Sequence, residues 1–419
     1  MISSLKLLRW IREKYILHRY SHPLFILKET INAFKLHNGL GLSASLSFYA
    51  ILALIPMALL MFFLLSHIVV SSDHAMVRFA IITSNLLPKL SQFIMLEVYE
   101  ATQRKAFWGI FGLVVLLWLA TPLAGSLRSA FYTITAIEET NSFFIRKLKD
   151  VFGVIGILIM FFMFTLFGVI LEDVIYFFNP AVSSTKFFNF LSYIVISTSL
   201  ITIFYRLFFP ARVAISKIFA GSFITACLWI AVRPIFSLFL SSSHSYGYLF
   251  GGMKNTFISI GWLYYSFVVF LFGTELISTL HKSDVLLLRN LFIDHEKNNL
   301  NYIRQLYFRY GKRFNKGEIV FKIGQDGNDF YYIANGKVGL YFKDQACKEL
   351  APGDYFGEIA IFAGSGYIAN AIVSSESAEL LVINADLIRM LISNEPKIAI
   401  GFLRQFAVRL QSSQINFTS

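Results

Sequence analysis

The sequence predicts an α-helical polytopic membrane bundle of about six transmembrane helices, followed by a small C-terminal β-roll with flanking helices. Hydrophobic residues make up 56% of the 419-residue chain and charged residues only 15%, whereas soluble domains average about 45–50% and about 25%. Up to His281 the chain contains long apolar stretches, and about 20 such residues cross a hydrocarbon core. From Lys316 onward, short strand patterns are separated by Gly and Pro turns.

The first elements are a surface helix and six spans. Residues 1–38 are basic and amphipathic, which predicts a helix on the inner membrane face and no removable signal peptide. Residues 73–105 combine helical periodicity with scattered charges and are predicted as an amphipathic helix, not a seventh span. The spans are predicted within a membrane domain at 39–282: 41–68, 107–127, 151–176, 188–209, 214–241 and 255–281.

The distribution of charge predicts the topology and the partners. The formal net charge is +12, and residues 1–296 contain 23 Lys and Arg against 14 Asp and Glu, whereas residues 297–419 contain 14 against 11. Most of the excess therefore flanks apolar spans, where basic residues mark the cytoplasmic side and meet anionic headgroups. We expect both termini in the cytoplasm, the lipid bilayer as a partner, and no nucleic acid.

Charged residues inside the spans are the candidate functional residues of the membrane domain. A charge at the centre of a membrane helix costs roughly 2.5–3.5 kcal/mol, so such side chains face the bundle interior or water. Two interpretations stand side by side: a structural ion pair, or a solute-facing charge such as a gate or proton site. The candidates are Glu172 and Asp173 at the outer end of the third span, Arg206 near the end of the fourth, Arg212 just after it, Arg233 in the fifth and Glu275 near the inner end of the sixth.

A series of motifs in residues 40–281 resembles the YihY/BrkB family of bacterial inner-membrane proteins. The matching segments are 43–49, 116–118, 126–131, 137–139, 205–206, 261–264 and 273–276. The resemblance implies a location in the bacterial cytoplasmic membrane. Members of the family have been described as tRNA-processing ribonucleases, and others as serum-resistance or transport proteins.

The distribution of histidines and carboxylates argues against a ribonuclease. Metal-assisted phosphodiester hydrolysis needs clustered carboxylates or histidines, but the eight histidines are scattered and form no HxH or HExxH pattern. The two cysteines, Cys227 and Cys347, also lie far apart and outside any metal or disulfide motif. We therefore expect no enzyme activity, no catalytic residue, no metal and no cofactor.

A separate module is predicted at 299–412, between a linker at 283–298 and a tail at 413–419. Helices are expected at 299–311, 385–392 and 395–410. Asn335-Gly336 between two apolar runs predicts a two-residue hairpin. The strands are expected at 318–322, 330–334, 337–342 and 379–383.

The pattern from Lys316 to Ala360 resembles cyclic-nucleotide-binding domains. The resemblance implies that the phosphate-binding cassette supplies the nucleotide contacts and that Glu358 binds the ribose 2′-hydroxyl. The family's arginine on the cyclic phosphate would lie about ten residues further on, where residues 365–371 contain neither Arg nor Lys. The candidate nucleotide-binding residues are Phe356, Gly357, Glu358, Ile359 and Ala360.

Loss of that arginine removes a charge-assisted hydrogen bond worth about 1.5–3 kcal/mol. Three roles are left open for the module: binding of cAMP or another nucleotide, a pocket for an uncharged ligand, and dimerisation or contact with a protein partner. For the whole chain, we predict a transport or envelope-related membrane protein with a cytoplasmic regulatory or self-association module. The alternatives are a non-transporting scaffold that recruits a partner through the β-roll and, third, a membrane-bound ribonuclease.

Overall fold

The computed structural model describes residues 22–68, 110–178, 186–242, 254–292, 300–342 and 345–415. The chain divides into two compact units. One extends from Leu27 to His281 and is helical; the other is built mainly from Lys282 onward and contains the strands.

Seven helices are described up to His281: α1 (His22–Leu36), α2 (Gly39–Ile68), α3 (Ile110–Thr135), α4 (Phe143–Phe178), α5 (Lys186–Phe208), α6 (Ile215–Ser242) and α7 (Lys254–His281). By length and composition, four of the described helices can cross a membrane: Gly39–Leu60, Val114–Thr135, Ile215–Phe236 and Phe257–His281. Tyr193–Phe208 is a shorter apolar helix. The membrane-bundle fold class is confirmed, the count of six spans stays a prediction, and residues 73–105 lie outside the described part of the chain.

The helical core is dominated by aliphatic and aromatic side chains. Helix α2 packs against α3 and α7, and α6 packs against α5 and α7. Two glycines bring helices close together at these contacts, because a Cβ at Gly221 would overlap Ile277 and one at Gly273 would overlap Thr225. Small residues at helix contacts are the usual means of close packing in membranes.

The second unit is a roll of two four-stranded antiparallel sheets, ordered β1-β8-β3-β6 and β2-β7-β4-β5. The strands are β1 (Gly311–Asn315), β2 (Ile319–Phe321), β3 (Asp329–Asn335), β4 (Val338–Phe342), β5 (Gln345–Leu350), β6 (Tyr355–Phe356), β7 (Asn370–Val373) and β8 (Ser377–Asn384). The helices are α8 (Ser283–Phe292), α9 (Leu300–Tyr310), α10 (Glu358–Ala363), α11 (Ala385–Asn394) and α12 (Pro396–Ile415). The predicted β-roll is confirmed.

The predicted hairpin at Asn335-Gly336 is wrong. Strand β3 pairs with β8 and β6, whereas β4 pairs with β5 and β7, so this turn carries the chain from one sheet to the other. Strand β3 has a neighbouring strand on each side. Its central residues 330–333 are all buried, whereas a strand with one face in solvent alternates between buried and exposed residues. Gly336 has a φ of 86°, and a Cβ there would lie 2.7 Å from Ala378 Cα.

Residues 283–292, predicted as part of a linker, form the helix α8. Val285, Leu287, Leu288 and Leu291 are buried, and α8 packs against α11. The Tyr302 hydroxyl donates a hydrogen bond to the Leu287 carbonyl. Helix α8 is therefore part of the packed module rather than a free connection.

Candidate functional site

A buried carboxylate and a histidine meet in the membrane domain. Glu275 in α7 is 1% exposed, and its Oε2 lies 3.0 Å from Nδ1 of His37, which directly follows α1. Three residues before His37 and Glu275 respectively, the rings of Phe34 and Phe272 pack edge-on, at 5.8 Å between ring centroids. A carboxylate and an imidazole at this distance can share or pass a proton.

The other predicted charges lie elsewhere. Arg206 and Arg212 are both exposed, and Nη1 of Arg206 donates to the Val213 carbonyl at 3.3 Å. The partner of Glu275 is thus His37 rather than either arginine that the sequence places at the same depth. The side chains of Glu172, Asp173 and Arg233 lie outside the described part of the structure.

Sequence reasoning missed a second charged cluster. Nε of Arg128 donates to Oδ1 of Asp150 at 2.8 Å, and its Nη1 pairs with Glu139. Asp150 is 5% exposed, and Gly125 leaves room for it, since a Cβ there would lie 3.0 Å from Oδ2 of Asp150. The sequence did contain a signal for this cluster, because Arg128 and Glu139 lie in two of the segments that resemble the family, 126–131 and 137–139. The cluster joins α3, the 136–142 connection and α4.

Buried hydroxyl groups line the contact between α5, α6 and α7. The fully buried Tyr205 donates to the Phe270 carbonyl at 2.7 Å. Thr225 donates to the Gly221 carbonyl at 2.8 Å and Thr274 to the Phe270 carbonyl at 3.1 Å. Because these hydroxyls bond to main-chain carbonyls, they satisfy the polar groups that a membrane interior would otherwise penalise.

The five cassette residues of the module lie together at the junction of β6 and α10. Phe356 is 2% exposed, and its ring stacks on Tyr331 with centroids 5.1 Å apart. Gly357 has a φ of 87°, which favours glycine, and the Glu358 side chain that follows it is buried. Ala360 belongs to the core of the roll, whereas Ile359 is exposed.

The end of the cassette contains a tyrosine in place of a basic side chain. Within residues 365–371, Tyr367 is 5% exposed and its ring stacks on Phe321 with centroids 3.7 Å apart. Burial raises the pKa of the Tyr367 phenol. Burial also raises the pKa of Tyr331, and the neighbouring Tyr367 adds to that rise. The next basic residue along the chain, Arg389, is exposed on α11 and lies 3.5 Å from Asp386. It therefore forms a surface pair.

The described residues offer no metal centre. In those ranges, no group of three or more His, Cys, Asp and Glu side chains is arranged to hold a metal ion. The charged clusters contain an arginine or a histidine as the partner of each carboxylate. Their contacts are ion pairs and hydrogen bonds.

Comparison with known proteins separates the same two parts. The model of the cyclic nucleotide-binding domain matches residues 311–395. Over 96 residues the chain is 32% identical to the cAMP-activated global transcriptional regulator CRP of Pasteurella multocida (strain Pm70), which covers 22% of this chain and 46% of CRP. The Thermus thermophilus catabolite activator protein is a similar solved structure, with 25% identity and a TM-score of 0.26, covering 30% of this chain and 61% of that one. The chain thus spans less than two thirds of either relative.

The helical part matches a membrane family. Over 265 residues the chain is 22% identical to the ribonuclease-like protein YfkH of Bacillus subtilis (strain 168), which covers 61% of this chain and 95% of YfkH. The family model described as virulence factor BrkB matches residues 30–289, more than half of the chain. The protein therefore belongs to the BrkB family of membrane proteins and has a cyclic nucleotide-binding-type domain after its membrane domain.

Proposed function

We propose that the protein serves transport or another envelope-related process in the bacterial inner membrane, with both termini in the cytoplasm and the β-roll as a regulatory or self-association module. The observation that carries the proposal is the pair formed by Glu275 and His37. An ionisable side chain within a membrane helix is costly, and such residues mark ion, proton or substrate pathways in membrane proteins.

The two members of the pair differ in exposure. The His37 side chain is 23% exposed, whereas the Glu275 side chain is 2% exposed. His37 is thus the more accessible member of the pair, and its imidazole lies on the approach of a proton or cation to the buried Glu275 from that side. A purely structural pair of this kind is often replaceable by well-packed apolar residues without loss of stability, so its presence favours a role in moving charge or solute.

The test uses complementation in a deletion strain with an envelope phenotype, such as sensitivity to detergent or serum. We expect Glu275→Gln, which keeps the shape and removes the charge, to abolish complementation while the protein reaches wild-type abundance in the membrane. The matched control is Glu138→Gln, since Glu138 is exposed. Full complementation by Glu275→Gln would show that the pair is structural and would remove the support for transport.

A scaffold is the second candidate, and exposed apolar residues on α12 favour it. Ile400 is 64% exposed and Leu403 is 66% exposed, three positions apart on the same helix. Such side chains suit a protein partner or a second copy of the chain. A chain that ends at Lys282 lacks the β-roll module and distinguishes the two functions. If the protein is a transporter, the shortened chain still complements the deletion strain. If it is a scaffold that recruits a partner through the module, the shortened chain does not complement.

The matched domain model supports a fold of the cyclic nucleotide-binding type for the module, and Glu358 of its cassette is buried. The absence of Arg and Lys from residues 365–371 weakens affinity for a cyclic phosphate. Ribonuclease action is not proposed, because neither matched family model describes a nuclease.

A further inference from the structure

Tyr367 fills the end of the cassette where the resemblance calls for an arginine. Its ring lies parallel to that of Phe321, at an interplanar angle of 10° and 3.7 Å between centroids. On the side of the cassette, a Cβ at Gly357 would lie 3.5 Å from Cε1 of Tyr367. The ring is thus enclosed between strand β2 and the start of the cassette.

The hydroxyl of Tyr367 is bonded to the main chain. It donates to the main-chain carbonyl of Asp329 at 2.9 Å and accepts the main-chain N–H of the same residue at 3.1 Å. A phenol offers one donor and two acceptor positions, so its single donor is already used and cannot serve a phosphate oxygen.

The main chain of Tyr367 is also held by hydrogen bonds. The Gly324 N–H donates to the Tyr367 carbonyl at 2.8 Å, and the Tyr367 N–H donates to the Gln325 carbonyl at 2.9 Å. A Cβ at Gly366 would lie 3.0 Å from the carbonyl oxygens of both Gly324 and Gln325. The segment 364–368 therefore lies directly on the loop between β2 and β3.

We infer that Tyr367 is a built-in plug that closes the phosphate end of the cassette and keeps the module in one closed conformation without nucleotide. An incoming cyclic phosphate would meet a neutral ring whose hydroxyl is already bonded, where binding needs a positive charge and free donors. The module then acts constitutively rather than as a switch driven by a cyclic nucleotide. The inference goes beyond the proposed function and does not depend on transport.

The first test measures cAMP binding by isothermal titration with the full-length protein in nanodiscs. At 1 mM cAMP we expect no binding by the wild type, and by Tyr367→Arg saturable binding with a Kd of about 0.1 mM or lower, at least about tenfold below the concentration tested. The control is Ile368→Arg, which adds the same charge at an adjacent exposed position and leaves the plug in place; we expect no binding. Micromolar binding by the wild type, or equal binding by both arginine variants, would overturn the inference.

The second test is independent of whether Tyr367→Arg folds. Tyr367→Phe keeps the ring and removes only the hydroxyl. We expect at least about tenfold faster amide hydrogen exchange in 324–329 and 364–368, with unchanged exchange in α11. Exchange in the wild type should be the same with and without 1 mM cAMP. Unchanged exchange in the phenylalanine variant, or protection of the wild type by cAMP, would contradict the plug.

Discussion

At the scale of single residues, the buried charges of the membrane domain obtain their partners from distant parts of the chain. Glu275 pairs with His37 across 238 positions. Arg128 pairs with Asp150 from the next helix and with Glu139 from the connection between them. A lone buried charge is strongly unfavourable, and these contacts therefore fix how the helices assemble.

The Arg128 cluster contains two carboxylates and one cation. We expect Arg128→Gln to destabilise the membrane domain by about 3–5 kcal/mol, because it leaves the buried Asp150 and the half-buried Glu139 without a positive charge. Asp150→Asn should cost less, since Arg128 retains Glu139. Thermal unfolding in detergent, followed by size-exclusion chromatography, measures the order of the two variants. An equal or reversed order would show that Glu139 does not share the arginine.

A substitution at Gly273 tests whether the close approach of α6 and α7 is needed for stability. Gly273→Ala places a methyl group on Thr225 and near the Tyr205 hydroxyl, and overpacking of this kind costs about 1–3 kcal/mol. Gly261→Ala on the same helix is the control, because its Cβ would make only an ordinary 3.7 Å contact with Phe236. A loss of thermal stability confined to the first variant is the expected result, whereas equal behaviour would mean that the helices can separate without cost.

The buried phenols of the module predict a limit of stability at alkaline pH. Burial raises the pKa of Tyr331 and Tyr367 above the usual value of about 10. The unfolded chain loses these protons first, so the stabilisation is complete below pH about 10 and falls as the pH rises further. Thermal unfolding from pH 8 to 12 should show this decline, and a shallower one for Tyr367→Phe. Identical slopes for the two proteins would mean that Tyr367 ionises freely while folded.

At the scale of secondary-structure elements, turns decide which strands meet. Gly336 carries the chain between the two sheets with a positive φ and with β8 directly behind it. Gly353 also has a positive φ, of 94°, but open space around its Cβ position. A substitution at Gly353 therefore introduces backbone strain alone, whereas one at Gly336 introduces backbone strain and steric overlap.

We expect Gly353→Ala to cost about 1–2 kcal/mol, the ordinary strain of a left-handed residue. Gly336→Ala should cost distinctly more, because its methyl group would also overlap the Ser377 carbonyl oxygen. Urea unfolding of the full-length protein, monitored by protease resistance of the module, compares the two. Equal costs would show that the turn can move away from β8.

At the scale of the whole molecule, α8 belongs with the module that follows it. Arg309 forms an ion pair with Asp284 at 2.6 Å, and Arg289 one with Glu395 at 3.2 Å. These contacts connect α8 to α9 and to Glu395, the residue between α11 and α12. The division between the two compact units lies between His281 and Lys282, and this boundary can be tested by truncation.

A chain that ends at Lys282 should give a monodisperse membrane domain, with a thermal midpoint within a few degrees of the full-length value. The reason is that its core is built from residues before His281. The control is a chain that ends at Phe292, which retains α8 without the partners that cover Leu288 and Leu291; we expect it to aggregate more. The opposite order would place α8 with the membrane domain.

Regular patterns made much of the fold predictable. Long apolar runs predicted the six helices α2 to α7, and the glycine-punctuated pattern predicted the roll, because both signals are local. Strands β1, β5, β6 and β7 were missed, since short strands with exposed or mixed residues have no strong period. The hairpin at Asn335-Gly336 was wrong because turn chemistry fixes a reversal of the chain but not the partner of each strand.

By itself, the sequence determined the division into an apolar membrane domain and a β-roll, the family motifs, and the absence of a basic residue from 365–371. Only the tertiary structure decided that His37 is the partner of Glu275, that Arg128 links Asp150 and Glu139, and that the ring of Tyr367 fills the end of the cassette. The physical reason is that hydrophobicity and backbone preferences act over a few residues, whereas pairing and burial depend on which distant segments meet when the chain packs.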